Sequence, residues 1–152
     1  MTGRDGGLHE LLRRRLAGWQ LTRIESMAGP GVPDCEYCAP GGVSGWLEYK
    51  LTATWRVAFR PFQPAWLSRR AQLGGRAAVL VRRTPAARKH SHLDELWLVD
   101  GKHAFDLQRL GLDRVPAICA GDAVRRWDWA AVEAFLRRDP IAASDWRRRS
   151  AG

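Results

Sequence analysis

Asp34, Glu48 and Lys50 are the residues of this chain whose types and spacing could do chemistry. Glu48 and Lys50 lie two apart in VSGWLEYKL (43–51), an apolar-rich stretch that reads as a strand. On a strand their side chains leave the same face, while Leu47, Tyr49 and Leu51 take the other. Asp34 opens DCEYC (34–38), a second strand, and the APGG turn (39–42) would fold the two into a hairpin that brings Asp34 close to Glu48. Two carboxylates at that distance repel and push each other's pKa up. A divalent cation resolves the conflict by taking oxygen ligands from both. Hard oxygen donors point to Mg²⁺, with Mn²⁺ an acceptable substitute and the Tyr49 backbone carbonyl a further ligand. Lys50, one of three lysines in the chain, would then hold or help deprotonate a water and stabilise charge on a phosphate. The competing reading is a surface ion pair worth at most ~1 kcal/mol. It leaves unexplained the preceding Pro33-Asp34, the GW-L lead-in to Glu48 and a downstream helix that opens with glutamine.

The elements that must position these residues follow from periodicity. GLHELLRRRLA (7–17) spaces Leu8, Leu11, Leu12 and Leu16 for one face of a helix, and Gly18 stops it. WQLTRIES (19–26) alternates as a strand, and AGPGVP (28–33) is turn chemistry. FQPAWLSRRAQLGG (62–75) reads as a helix with Pro64 in its first turn and Gly74-Gly75 as its stop. AAVLV (77–81) suits a strand buried on both faces. TPAARKHSH (84–92) is a polar loop, and ELWLVDGKHAFDL (95–107) is expected to be a hairpin turning at Asp100-Gly101. WDWAAVEAFLRR (127–138) is an amphipathic helix, followed by the basic tail DWRRRSAG. The expected fold class is therefore α/β with a mixed sheet, in one domain.

Charge bounds the partners. Twenty-five basic against sixteen acidic side chains give a net charge of +9 and a pI near 10.7, and a polyanion is the commonest partner of such a surface. No apolar run approaches the roughly 18 residues of a membrane span, and the N-terminus lacks the apolar core of a signal peptide. A cytoplasmic protein without membrane contact is expected. Three cysteines (Cys35, Cys38 and Cys119) do not make a disulfide framework. Cys35 and Cys38 have zinc-like spacing, and His90 and His92 could complete four ligands. Residues i and i+3 on a strand face opposite ways, however, so packed thiols are the expectation.

Pro33-Asp34, then thirteen residues, then Glu48-Tyr49-Lys50 resembles the signature of the PD-(D/E)XK nuclease superfamily. The resemblance covers about residues 8–82, whose expected order α-β-β-β-α-β is that of the family's restriction-endonuclease-like core. It is nearest to small phage and archaeal Holliday-junction-resolvase-like and VRR-NUC-like nucleases, in which a glutamine opens the helix after the Glu-x-Lys strand. The resemblance implies Asp34 and Glu48 as metal ligands, Lys50 as the catalytic lysine, and Gln63 as an active-site glutamine. It also implies an upstream acid, for which Glu25 is preferred over Glu10 on the first helix. Residues 83–152 would be an extension, an appended β-hairpin and C-terminal helix, outside the resemblance.

The expected activity is thus Mg²⁺-dependent endonucleolytic hydrolysis of DNA, on Holliday junctions or other branched DNA in a phage or mobile-element setting. Alternatives are a repair or restriction nuclease without junction preference, and a non-catalytic basic DNA-binding or virion-assembly protein on the same fold. Arg13, Arg14, Arg15, Arg60, Arg69 and Arg70, joined by Arg82 and Arg83, lie on segments flanking the site and could neutralise phosphates. Trp55 is the tryptophan placed to reach a base or sugar. Two matched incisions in a junction imply a homodimer, with the apolar face of 129–136 and the 95–107 segment as candidate interfaces.

Overall fold

The computed structural model describes residues 5–25, 28–85 and 92–140. Along the chain run α1 (Leu8–Arg15), β1 (Gln20–Arg23), β2 (Cys35–Ala39), β3 (Val43–Thr52), α2 (Gln63–Gln72), β4 (Ala77–Arg83), β5 (Glu95–Asp100), α3 (Ala104–Leu110), β6 (Ile118–Cys119) and α4 (Trp129–Arg137), with short 3₁₀ turns between the later ones. The six strands form one mixed sheet in sequential order. All neighbours are antiparallel except β3 and β4, which run parallel because α2 carries the chain back between them. The hairpin expected of 34–38 with 43–51 is present, with Cys35 opposite Leu47.

The alternation of β3 and β4 sorts their side chains into two cores. Leu47, Tyr49, Ala78 and Leu80 meet Leu8 and Leu12 of α1, Leu16 just after it, and Val132, Phe135 and Leu136 of α4. Ala77, Val79 and Val81 meet Leu67 of α2 and Ala104 and Leu107 of α3 on the opposite face. Both faces of β4 are buried, as an unbroken apolar run requires. The sheet is therefore a middle layer, with α1 and α4 on one side and α2 and α3 on the other. The extension is part of this sheet: β5 pairs with β4 along its length, from Ala78 opposite Asp100 to Arg83 opposite Glu95.

One element departs from expectation. Residues 95–107 are not a hairpin: β5 ends at Asp100, and the chain turns through Gly101–His103 into α3. Asp100 acts as a cap, accepting the Lys102 N–H at 3.0 Å. The residues after it bury Ala104 and Leu107 at helical rather than alternating spacing. β5 instead finds its outer partner in the two-residue β6. The two candidate dimer surfaces are occupied within the chain, α4 burying Val132, Phe135 and Leu136 and β5 lying between β4 and β6. Most of the 84–92 loop and the basic tail lie outside the described residues. Among those described, no helix is long and apolar enough to cross a membrane.

Candidate active site

The site lies where β2 stops and β3 continues. The last β2–β3 pair is Cys35 with Leu47, so Glu48–Thr52 keep β4 as a neighbour and have no strand on the other side among the described residues. Alternate residues of a strand direct their main-chain groups to opposite edges. Trp46 and Thr52 direct theirs toward β4 and its ends, where the Trp46 N–H donates to Arg76 and the Thr52 carbonyl accepts from Thr84. Tyr49 and Leu51 therefore face the vacated edge. The result is a notch in the sheet, opening into a cleft of about 680 Å³.

Asp34 stands at the head of this notch. The Ile24 N–H donates to its carbonyl at 2.8 Å, extending the β1 register, and its side chain accepts the Tyr49 N–H at 2.9 Å. The Tyr49 carbonyl leaves the same edge as that N–H. Glu48 points toward the α2 layer and is only 2% exposed. Its Oε1 accepts from Gln63 Nε2 at 2.8 Å and lies 3.4 Å from Lys50 Nζ. Its Oε2 is buried without a hydrogen-bond partner among the described residues. Burial, and then the neighbouring Asp34 carboxylate, push the Glu48 carboxyl up to about 8, against the smaller opposing pull of Lys50.

Lys50 Nζ donates to Gln63 Oε1 at 2.8 Å and lies 4.6 Å from the centre of the Phe59 ring. Gln63 links the group: its Nε2 serves Glu48 while its Oε1 also accepts the Arg60 N–H at 2.8 Å. The bond from the Arg60 N–H is the backbone contact expected of a helix-start residue, and the same side chain also meets Glu48 and Lys50. It is held there by Phe62, whose backbone sits in the left-handed region at φ 73°. The loop around Gly31 presses on that residue, and a Cβ at Gly31 would come 2.4 Å from the Phe62 carbonyl oxygen.

The other expected residues divide. Glu25 and Arg60 line the cleft. Glu10 does not; it is on the outer side of α1, paired with Arg13 and Arg14. Arg15 lies over the Trp129 ring. Arg69 and Arg70 occupy the last turn of α2, at the opposite end from Gln63, and Arg70 stacks against Trp46 and Trp66. Trp55 is outside the cleft lining; one face carries the Arg83 guanidinium at 3.6 Å and its ring meets Trp97 edge to face. Arg82 is engaged by Asp94. Burial pushes the Cys35 thiol up to about 11, which makes it an inert packed group, and His90 lies outside the described residues.

Sequence reasoning passed over Asp5, His9 and Arg23. Asp5 precedes α1 and accepts the Gly7 and His9 N–H groups at 3.1 and 3.3 Å. Burial opposes its ionisation, but those bonds and the Arg23 guanidinium hold its carboxyl below the ordinary range. His9 Nδ1 and the Tyr49 hydroxyl are 2.9 Å apart, tying α1 to the back of the Glu48–Lys50 segment. No local signal marks them, since Asp5 lies two residues before the Gly7 N-cap of α1 and meets Arg23 only through the fold.

The donor set suits one hard dication. Two carboxylates and a carbonyl converge on the notch, and an orphaned buried carboxylate oxygen costs about 1–3 kcal/mol that a ligand would remove. A site closed by three or more His, Cys, Asp or Glu side chains does not occur among the described residues, so water would complete the shell. No protein-family model matches this chain, and neither the curated proteins nor the solved structures contain a significant match to it.

Proposed function

We propose that this protein is a metal-dependent DNA endonuclease built on a restriction-endonuclease-like core. The observation that carries the reading is the meeting of Asp34, Glu48, Lys50 and Gln63 in one cleft, around a buried carboxylate oxygen that has no partner among the described residues. The order α1-β1-β2-β3-α2-β4, with an antiparallel β1-β2-β3 meander and a parallel β3–β4 step, supports the fold assignment. The net charge of +9 supports a polyanionic substrate.

Asp34, Glu48 and the Tyr49 carbonyl would hold Mg²⁺ or Mn²⁺. When bound, the ion supplies Lewis-acid polarisation of a phosphodiester and of a water. Lys50 holds its Nζ beside Glu48, placed to orient a water through one N–H and to offset charge on a phosphate oxygen. Gln63 fixes both partners, so neither swings to solvent. Asp34 is restrained by the Tyr49 N–H. Glu25 lines the cleft and is the upstream acid of this reading. Branched DNA is the substrate expected from the family resemblance, acted on by a homodimer.

Incubation of the purified protein with labelled linear, flapped and four-way DNA, in Mg²⁺ and in EDTA, tests the proposal. Metal-dependent nicking supports it, and preference for the four-way substrate supports junction resolution. Equal cutting of all shapes would favour a repair or restriction role. Stable binding without cutting in either Mg²⁺ or Mn²⁺ would make the fold a DNA-binding scaffold only.

A further inference from the structure

Arg23 belongs to the cleft but to none of the groups assigned above. It lies opposite Cys35 in the β1–β2 ladder. Residues opposite one another across an antiparallel pair share a face, and Cys35 is in the core beneath α1. Arg23 therefore reaches the notch from the α1 side of the sheet. Arg60 also lines the cleft, on the loop that leads into Gln63, whose side chain accepts its backbone N–H. β2 begins at Cys35, so the two faces communicate through the notch, and Arg23, Asp34, Glu48, Lys50 and Arg60 line the same cleft.

Arg23 is anchored rather than consumed. Its Nη2 bonds Asp5 Oδ2 at 2.9 Å, and that is its side-chain hydrogen bond among the described residues. Asp5 is 8% exposed at the side chain, and Arg23 is 54% exposed. The Asp5 carboxylate is shared with two backbone N–H groups at the start of α1, so part of its charge is already answered there. The guanidinium has five N–H donors in a planar fork, matched to phosphate oxygens. An exposed arginine with one edge fixed by a buried acid can present the remainder of that fork in a set direction.

We infer that Arg23, held by Asp5, binds the backbone phosphate next to the one seated at Asp34, Glu48 and Lys50, with Arg60 binding the phosphate on the other side. This inference rests on the proposed function and narrows its substrate to a strand with phosphates on both sides of the reacting one. A mononucleotide diester or a terminal phosphate engages one arginine at most. Arg23 is a substrate-positioning residue in this scheme; it does not touch the reacting atoms.

The test is equilibrium binding of a fluorescein-labelled four-way DNA junction in EDTA, across a series of KCl concentrations, without reliance on cleavage. Arg23→Ala is expected to weaken binding about tenfold. It should also lower the magnitude of the log K against log salt slope by about 0.9, the loss of one phosphate contact. Arg23→Lys should restore the slope. Arg23→Gln keeps a hydrogen-bonding partner for Asp5 and serves if the alanine variant is unstable; its slope should match that of Arg23→Ala. An Arg23→Ala or Arg23→Gln variant with wild-type affinity and slope overturns the inference and leaves the hydrolytic reading standing. Wild-type binding that depends on Arg23, without cleavage in Mg²⁺, overturns the hydrolytic reading and leaves the phosphate assignment standing.

Discussion

Glu48 is buried with one carboxylate oxygen bonded and the other bare, and that asymmetry has a thermodynamic consequence. Its carboxyl titrates at about 8 in the folded protein against an ordinary value of 4.5. A group whose folded pKa is raised favours the folded state below the unfolded value, and that contribution is lost as pH rises through the folded one. In EDTA the melting temperature should therefore fall between about pH 4.5 and about pH 8. Glu48→Gln should remove that part of the fall, which differential scanning calorimetry of the two proteins would read. Mg²⁺ should recover stability at the alkaline end, where the ionised carboxylate binds it; a fall unchanged by Glu48→Gln would place its origin elsewhere. At this scale the proximity of Asp34, Glu48 and Lys50 was legible from a strand period of two and a hairpin, whereas Gln63 was singled out only through the family resemblance. Asp5 and Arg23 were not legible, because their meeting depends on the β1 register and on where α1 begins, and neither has a local signal.

The elements show how backbone conformation supports the site. Phe62, at φ 73°, is the non-glycine residue in the left-handed region among those described, and it immediately precedes Gln63. Its carbonyl lies where a Cβ on Gly31 would have to be, and Gly31 itself has φ 78°. Gly31→Ala should therefore be doubly unfavourable, destabilising by about 2 kcal/mol. For a chain of this size that is a fall of roughly 4–8 °C in melting temperature. Displacement of Gln63 should lower cleavage as well, measured below the new melting transition. A Gly31→Ala protein with unchanged melting and turnover would show that the Gly31–Phe62 crossing does not hold the site. The same scale explains the failed hairpin at 95–107. Asp100-Gly101 has the composition of a tight turn, but Asp100 caps a 3₁₀ turn, and the spacing of Ala104 and Leu107 on the α2–α3 core decides for helix.

For the whole molecule, the extension completes both cores. Leu96, Leu98 and Leu136 lie in one and Val99, Leu107 and Leu112 in the other, all essentially buried. Arg138 fastens it to the sheet: its Nε and Nη2 bond Asp100 at 2.9 and 2.7 Å, and Nη2 also reaches the Ala77 carbonyl at 3.1 Å. Deletion of residues 84–152 is expected to give an insoluble or unfolded chain by circular dichroism, and a folded, active 1–83 fragment would contradict that expectation. Arg138→Ala should cost about 1–3 kcal/mol and be visible as a lower urea midpoint. Sequence periodicity located β5 and α4 but could not show that they share cores with residues 8–82, since that depends on pairings between residues far apart in the chain. The central claim remains hydrolysis at the notch, and it is tested most directly by single-turnover cleavage of labelled branched DNA in Mg²⁺ by the wild type and Lys50→Ala side by side. The account predicts loss of cleavage in the variant with retained DNA binding and melting behaviour; wild-type cleavage by Lys50→Ala would contradict it.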